Sequence, residues 1–179
     1  MSEIAAGIKE AAEFLKSGDC FCIVSHINPD GDTLGSAYAL AGILESIGKQ
    51  VQVRCASPIP PRYSYLAEGL KLSCTDPRQI VAVDIAGISL WGSLWEELGG
   101  RCDLLIDHHV SNERYAKLSV IDASASATAI LMLELAEAMN VPLTKQIANA
   151  IFTGITTDTG CFRYSNTNAQ TFEAGMILA

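Results

Sequence analysis

The sequence is short of several features that would settle its class at once. Among its six cysteines there is no C-x-x-C pair, so the ligand spacing of a zinc ribbon is absent. Cys20 and Cys22 lie in an apolar run, where a thiol behaves as a small hydrophobe. With Cys55, Cys74, Cys102 and Cys161 they read as buried, reduced thiols of a cytosolic protein. No apolar stretch approaches the roughly 20 residues that span a bilayer. Met1 to Lys16 mixes charged and apolar residues at helical spacing, unlike a secretory leader. The expectation is a soluble, cytoplasmic chain without a membrane partner. Basic residues are scarce, 12 Lys and Arg against 20 Asp and Glu, giving a formal net charge of −8 and no basic run. A protein that grips duplex DNA needs a basic face to neutralise phosphates, so duplex DNA is not an expected partner. A small phosphate substrate is not excluded. Carboxylates that hold divalent cations enter the count without the cations' charge.

What is present is apolar and alternates in character. Of 179 residues, 49% are hydrophobic, enough for one domain with a substantial core and a fragment of a second. Ile4, Ile8, Ala11, Ala12 and Leu15 recur at helical spacing, with Gly18 as a stop. Cys20 to Ser25 predicts a strand, Thr33 to Ile47 a helix ended by Gly48, and Val51 to Cys55 another strand. Pro58, Pro60 and Pro61 mark a loop. Ile80 to Val83, Leu104 to Ile106 and Leu118 to Ile121 read as further strands, Ser126 to Met139 and Thr144 to Thr156 as helices. Apolar strands alternating with helices predict an α/β fold, a mainly parallel sheet with helices on both faces. Gly35-Ser36 is expected to let the second helix pack close to that sheet. Thr167 to Ala179 opens with a cap-like Thr-Asn and turns apolar.

The acids and histidines fall at the ends of the predicted strands. The first strand runs into His26-Ile27-Asn28-Pro29-Asp30-Gly31-Asp32, the strand at Ile80 ends in Asp84, and the strand at Leu104 ends in Asp107-His108-His109. In an open parallel sheet those ends share one edge, where ligands bind. A fourth cluster, Thr156-Thr157-Asp158-Thr159-Gly160, follows an apolar helical segment. All three histidines of the chain lie in these clusters. Mixed imidazole and carboxylate donors suit manganese, iron or zinc better than magnesium. Four clusters supply more ligands than one ion needs, whereas two ions about 3.5–4 Å apart sharing a carboxylate would use them.

Each residue has a plainer reading. Asp30-Gly31-Asp32 after a proline could be an ordinary turn, Asp84 a strand end, Asp107 a helix cap, His109 a satisfied structural histidine, and Asp158 part of a polar turn. It is their occurrence as one ordered set that argues for chemistry.

In that order, H-I-N-P-D-G-D, V-D-I-A, I-D-H-H and T-D-T-G-C-F-R-Y-S-N-T resemble the four motifs of the DHH phosphoesterase family, over roughly Cys20 to Thr167. The last motif most resembles the branch that degrades nano-RNA and dephosphorylates 3'-phosphoadenosine 5'-phosphate. The resemblance implies a Rossmann-like DHH domain over residues 1–167. Residues 168–179 would start a helix leading to a substrate-binding domain whose Gly-Gly-Gly-His motif this sequence lacks. It implies two divalent ions, manganese by preference, with His26 and Asp30 on one, Asp32, His108 and Asp158 on the other, and Asp84 bridging both. His109 would face the substrate phosphate and Asp107 would orient a histidine, so that His109, Asp107 and Asp84 carry the catalysis. Arg163, Ser165 and Asn166 are the candidate substrate contacts beside His109, and Arg163 reads equally as a surface charge. Phe162 and Tyr164 read as core residues or as supports behind the site residues rather than as stacking platforms. Short RNA or a small nucleotide would be the partner, and a homodimer stays open.

The rivals within the resemblance are a cyclic- or linear-dinucleotide phosphodiesterase, a longer and more basic single-strand exonuclease, and a pyrophosphatase. The last typically reads N-P-D-T-D where this chain has Asn28-Pro29-Asp30-Gly31-Asp32. Outside catalysis stands a nucleotide-sensing module, which would show degenerate ligands, and none is substituted here.

Overall fold

A computed structural model describes residues 3–179. Five strands, Phe21–Ser25 (β1), Val51–Cys55 (β2), Gln79–Val83 (β3), Cys102–Asp107 (β4) and Leu118–Ile121 (β5), form one all-parallel sheet in the order β2-β1-β3-β4-β5. The helices are Glu3–Ser17 (α1), Gly31–Ser46 (α2), Leu94–Leu98 (α3), Thr128–Ala138 (α4), Lys145–Asp158 (α5) and Ala169–Leu178 (α6). The predicted α/β architecture is the one observed. Among these described residues no helix is long and apolar enough to cross a membrane.

The central strands are apolar at successive positions because both of their faces are covered. Phe21, Ile23, Val81, Val83, Leu104 and Ile106 enter a large core built with α1, α2, α4 and α5. Cys22, Val24, Ile80, Ala82 and Leu105 enter a smaller one. That second face is covered by α3 and by the 3-10 turn Ile88–Trp91, whose Trp91 packs edge-on against Trp95 and Tyr115. Helices therefore lie on both faces, but very unequally.

Several boundaries differ from the sequence reading, and two differences bear on the site. Helix α2 begins at Gly31 rather than Thr33, because the Asp30 side chain accepts from the backbone N–H groups of Asp32 and Thr33 at 3.0 and 3.1 Å and so caps it. Gly35 serves α5, not the sheet: a Cβ there would lie 2.5 Å from the Ala150 carbonyl oxygen.

The cysteines also depart from expectation. Cys20 and Cys74 form a disulfide with Cα atoms 5.1 Å apart. Pairing of β1 with β2 and β3 brings the residue before β1 beside the segment preceding β3, a proximity that linear spacing hides across 54 residues. Of the free thiols, Cys22 and Cys102 are buried, and that burial pushes both up to about 12. Cys55 is partly exposed and Cys161 is exposed.

Candidate metal centre

Strand order fixes the position of the site. From β1 the chain passes to β2 on one side, and β3 lies on the other, so the carboxyl ends of β1 and β3 flank a topological switch point. His26 follows β1, Asp84 follows β3, and Asp107 closes β4 ahead of His108 and His109. Asp32 stands in the first turn of α2, and Asp158 is the last residue of α5. The close approach of these two helices lets Asp158 join the strand-end residues. A Cβ on Gly154 would sit 2.8 Å from Asp32 Oδ1, so glycine at that position is part of how the two elements fit.

The side chains gather into three overlapping sets. In His26, Asp30 and Asp84, in Asp32, His108 and Asp158, and in Asp84, His108 and His109, one donor atom per residue lies within 4.8 Å of the others. Asp84 belongs to the first and the third and approaches the second through His108. Its Oδ2 is 3.6 Å from His26 Nε2, while its Oδ1 is 3.9 Å from His108 Nε2 and 3.6 Å from His109 Nδ1. Its backbone φ of 58° lies in the left-handed region, which Asp tolerates better than most residues and which is common at functional sites.

The donor chemistry fits divalent cations. His26 Nδ1 lies 2.7 Å from the Ile27 carbonyl and His108 Nδ1 lies 3.1 Å from the Ala125 carbonyl. A carbonyl can only accept, so Nδ1 is the donor in each contact, and Nε2, facing the carboxylates, is the nitrogen that could take a cation on giving up its own proton. Asp32 is 1% exposed, and its carboxylate accepts from the first backbone N–H groups of α4, Thr128 at 2.7 Å and Ala129 at 2.9 Å. A helix N-terminus favours an anion there. Even so, burial, then the charges of Asp84 and Asp158, push Asp32 well above the usual carboxylate range. Asp158 is also pushed up, by burial, with His108 opposing and Asp84 and Asp30 adding. Among the described residues the Lys and Arg ion pairs are Arg54–Glu97 and Lys117–Asp103, neither of them with these acids. The arrangement holds more negative charge than its own side chains neutralise.

Asp107 is wholly buried, and its Oδ1 accepts from the His108 backbone N–H and from His109 Nδ1, both at 2.8 Å. Asn112 donates to Oδ2 at 2.5 Å. Burial would raise this carboxyl, but the bonds from His109 and Asn112 outweigh it and hold it below its ordinary range. In return Asp107 lifts His109 to about 9, against burial. For His26, burial works downward, but Asp30 and Asp84 prevail and carry it up to about 10. His109 is the most open of the three histidines, its side chain 46% exposed.

The remaining candidates lie on the turn after α5, where Gly160, Cys161 and Phe162 take φ values of 56°, 57° and 63° in succession. Arg163 is exposed, and its Nε donates to the Gly160 carbonyl at 2.8 Å. Asn166 Nδ2 donates to the carbonyls of Ser126 and Asp158 at 3.0 and 3.1 Å, tying the turn to the end of α5. Ser165 is exposed. These three are not gathered into the metal sets. Tyr164 is 59% exposed and so not a core residue, while Phe162 is partly buried and stacks on Phe172. Three residues that touch the centre escaped the sequence reading, among them Ser36, whose hydroxyl donates to Asp32 Oδ1 at 3.4 Å. Asn112 follows Asp107 by five positions. Thr128 opens α4, inside the helix predicted from Ser126, but nothing in that helix start points to the centre.

Fold and site together define an open parallel α/β protein with a carboxylate–imidazole centre at its switch point. The chain belongs to the DHH family: the model described as "DHH family, N-terminal domain" matches residues 20–155. It is 32% identical over 170 residues to the bifunctional oligoribonuclease and PAP phosphatase NrnA of Thermus thermophilus, covering 87% of this chain and 48% of that protein. Among solved structures it resembles an exopolyphosphatase-related protein from Bacteroides fragilis, with TM-score 0.88 and 23% identity over 99% of this chain and 58% of the other. RecJ from Thermus thermophilus in complex with Mn2+ shares the fold more distantly, at TM-score 0.51 and 23% identity, over 86% of this chain and 24% of RecJ. The chain spans about half the length of the curated relatives it matches.

Proposed function

We propose that this domain is a two-metal phosphoesterase that hydrolyses short oligoribonucleotides and 3'-phosphoadenosine 5'-phosphate, with manganese as the working ion. The observation that carries the reading is Asp84, whose two oxygens face two separate donor sets. The oligoribonuclease and PAP phosphatase name of the Thermus relative supports the substrate class, and the mixed imidazole–carboxylate donors and the manganese of RecJ support the ion.

His26, Asp30 and Asp84 would hold one ion, and Asp32, His108, Asp158 and Asp84 the other. When bound, such a pair lowers the pKa of water and neutralises charge on phosphoryl oxygens. The protein's own residues do the rest. The backbone carbonyls of Ile27 and Ala125 fix which nitrogen each ligand histidine presents. Asp107 occupies His109 Nδ1, leaving Nε2 as that ring's remaining donor. His109 therefore suits a phosphoryl oxygen or the leaving oxygen, which must gain a proton as the P–O bond breaks. Asp107 acts through His109 by setting its orientation and charge. Arg163, Ser165 and Asn166 offer little grip on a nucleotide, so the residues beyond 167 and the further length seen in the relatives would supply it.

The test is a panel of di- to pentanucleotides and 3'-phosphoadenosine 5'-phosphate, assayed with manganese and after chelation. Hydrolysis should need the ion. Asp84→Asn should lower kcat/KM by about 10²-fold or more, the scale of loss from misplacing reacting groups by about 1 Å. Metal-independent turnover, or wild-type turnover by Asp84→Asn, would overturn the reading.

A further inference from the structure

Thr128 is not among the candidate ligands, yet it reaches three carboxylates of the centre. Its side chain is fully buried. Its Oγ1–H donates to Asp84 Oδ1 at 2.8 Å, and the same hydroxyl lies 3.5 Å from Asp107 Oδ1. Its backbone N–H donates to Asp32 Oδ2 at 2.7 Å. One residue at the start of α4 therefore holds two carboxylates that come from different elements, Asp32 of α2 and Asp84 after β3.

We propose that Thr128 is the positioning residue of the shared carboxylate: its hydroxyl fixes the rotation of Asp84, so that Oδ1 serves the His108 set while Oδ2 serves the His26 set. This rests on the two-metal reading above. A carboxylate that spans two sites must keep one torsion, because turning it takes one oxygen away from each set together. Asp84 has few other means of holding that torsion. Its neighbours His26, His108 and His109 stand at 3.6 to 3.9 Å, beyond hydrogen-bond reach. The Thr128 hydroxyl is the short, directed contact. It has one hydrogen and two carboxylates nearby, and the distances give that hydrogen to Asp84 rather than Asp107. The backbone N–H, which no side-chain substitution removes, keeps Asp32 in place independently. The two functions of Thr128 can thus be separated by mutation.

The test compares Thr128→Val, which keeps the shape and loses the donor, with Thr128→Ser, which keeps the donor. Metal-free proteins are titrated with Mn2+ by calorimetry, and their melting temperatures are taken without metal. Thr128→Val should weaken manganese binding by about 10–100-fold, the usual cost of losing a hydrogen bond that orients a ligand. Thr128→Ser should restore it to near the wild-type value. In catalysis the valine variant should lose kcat with KM little changed, since the hydroxyl meets no substrate. A purely structural residue would instead lower the melting temperature and leave the manganese affinity of the folded protein intact. Should the valine variant fold poorly, Thr128→Cys against Thr128→Ser makes the same comparison, a weak donor against a strong one at similar size. Wild-type manganese affinity in the valine or cysteine variant overturns the assignment alone. A wild-type chain that binds no manganese overturns the two-metal reading and the assignment with it.

Discussion

Asp158 shows at the scale of one residue what it takes to build such a centre from like charges. It stands at the end of α5, 3.5 Å from His108 Nε2, and burial together with Asp84 and Asp30 raises its carboxyl despite that histidine. A group whose charged form is disfavoured in the folded state destabilises it when ionised. Asp158→Asn should therefore raise the melting temperature of the metal-free domain, by about 2–4 °C if the relief is about 1 kcal/mol, while weakening manganese binding and hydrolysis. A lower metal-free melting temperature would show that Asp158 is held by contacts other than repulsion. The sequence made the candidate carboxylates visible because each stands where an apolar run stops. Thr128 was harder to find. A threonine at a helix start is an ordinary sight, and only the folded chain brings its hydroxyl to Asp84, 44 positions away.

Between elements, the decisive fit is α2 on α5. Helix α2 is buried from Gly31 to Leu44 and is apolar around most of its circumference, so its sequence pattern does not say which neighbour lies on which side. That is why the sequence alone points Gly35 at the sheet. In the structure its missing Cβ makes room for the α5 backbone, and Gly154 makes the reciprocal room near Asp32. Strand positions were legible for the opposite reason: parallel strands are short apolar runs, and five such runs, three of them ending in the motif residues, sufficed to predict the sheet. The disulfide was not legible, because its partners meet only through strand pairing. Gly35→Ala places a methyl 2.5 Å from a backbone oxygen that cannot rotate away, so the helices must separate. We expect a loss of about 1–3 kcal/mol, the usual cost of overpacking. Manganese binding should weaken as well, because Asp32 and Asp158 ride on the two helices being pushed apart. Thermal melts with parallel manganese titrations check both, and unchanged affinity in a destabilised variant would detach the helix contact from the metal site.

Over the whole molecule the centre couples acidity, metal and stability. The chain carries a formal charge of −8, and part of that excess is concentrated in carboxylates that no Lys or Arg among the described residues pairs with. Without metal, the histidines answer them: His26 and His109 rise from an ordinary 6.5 to about 10 and about 9. A group raised on folding stabilises fully below its unfolded value, and that contribution is lost as pH climbs through the folded value. For the metal-free domain this part of the stability is therefore present at pH 6.5 and drains away toward pH 10. His109 contributes less than its shift implies, since its side chain is nearly half exposed. Asp30 and Asp107, both held low, lose their share only in acid, well below this window. Metal binding runs the other way, because a coordinating imidazole must shed its proton. Saturating each site to about 100 times its dissociation constant adds about 2.7 kcal/mol, and binding itself tightens as pH rises. The gap between melting temperatures in manganese and in chelator should accordingly widen from pH 6.5 to pH 8.5. Replacing His26 with Gln should flatten both the fall of the metal-free curve and the growth of the gap. A gap that stays constant over this range, or narrows, would mean that the ion does not take the place of protons on these histidines.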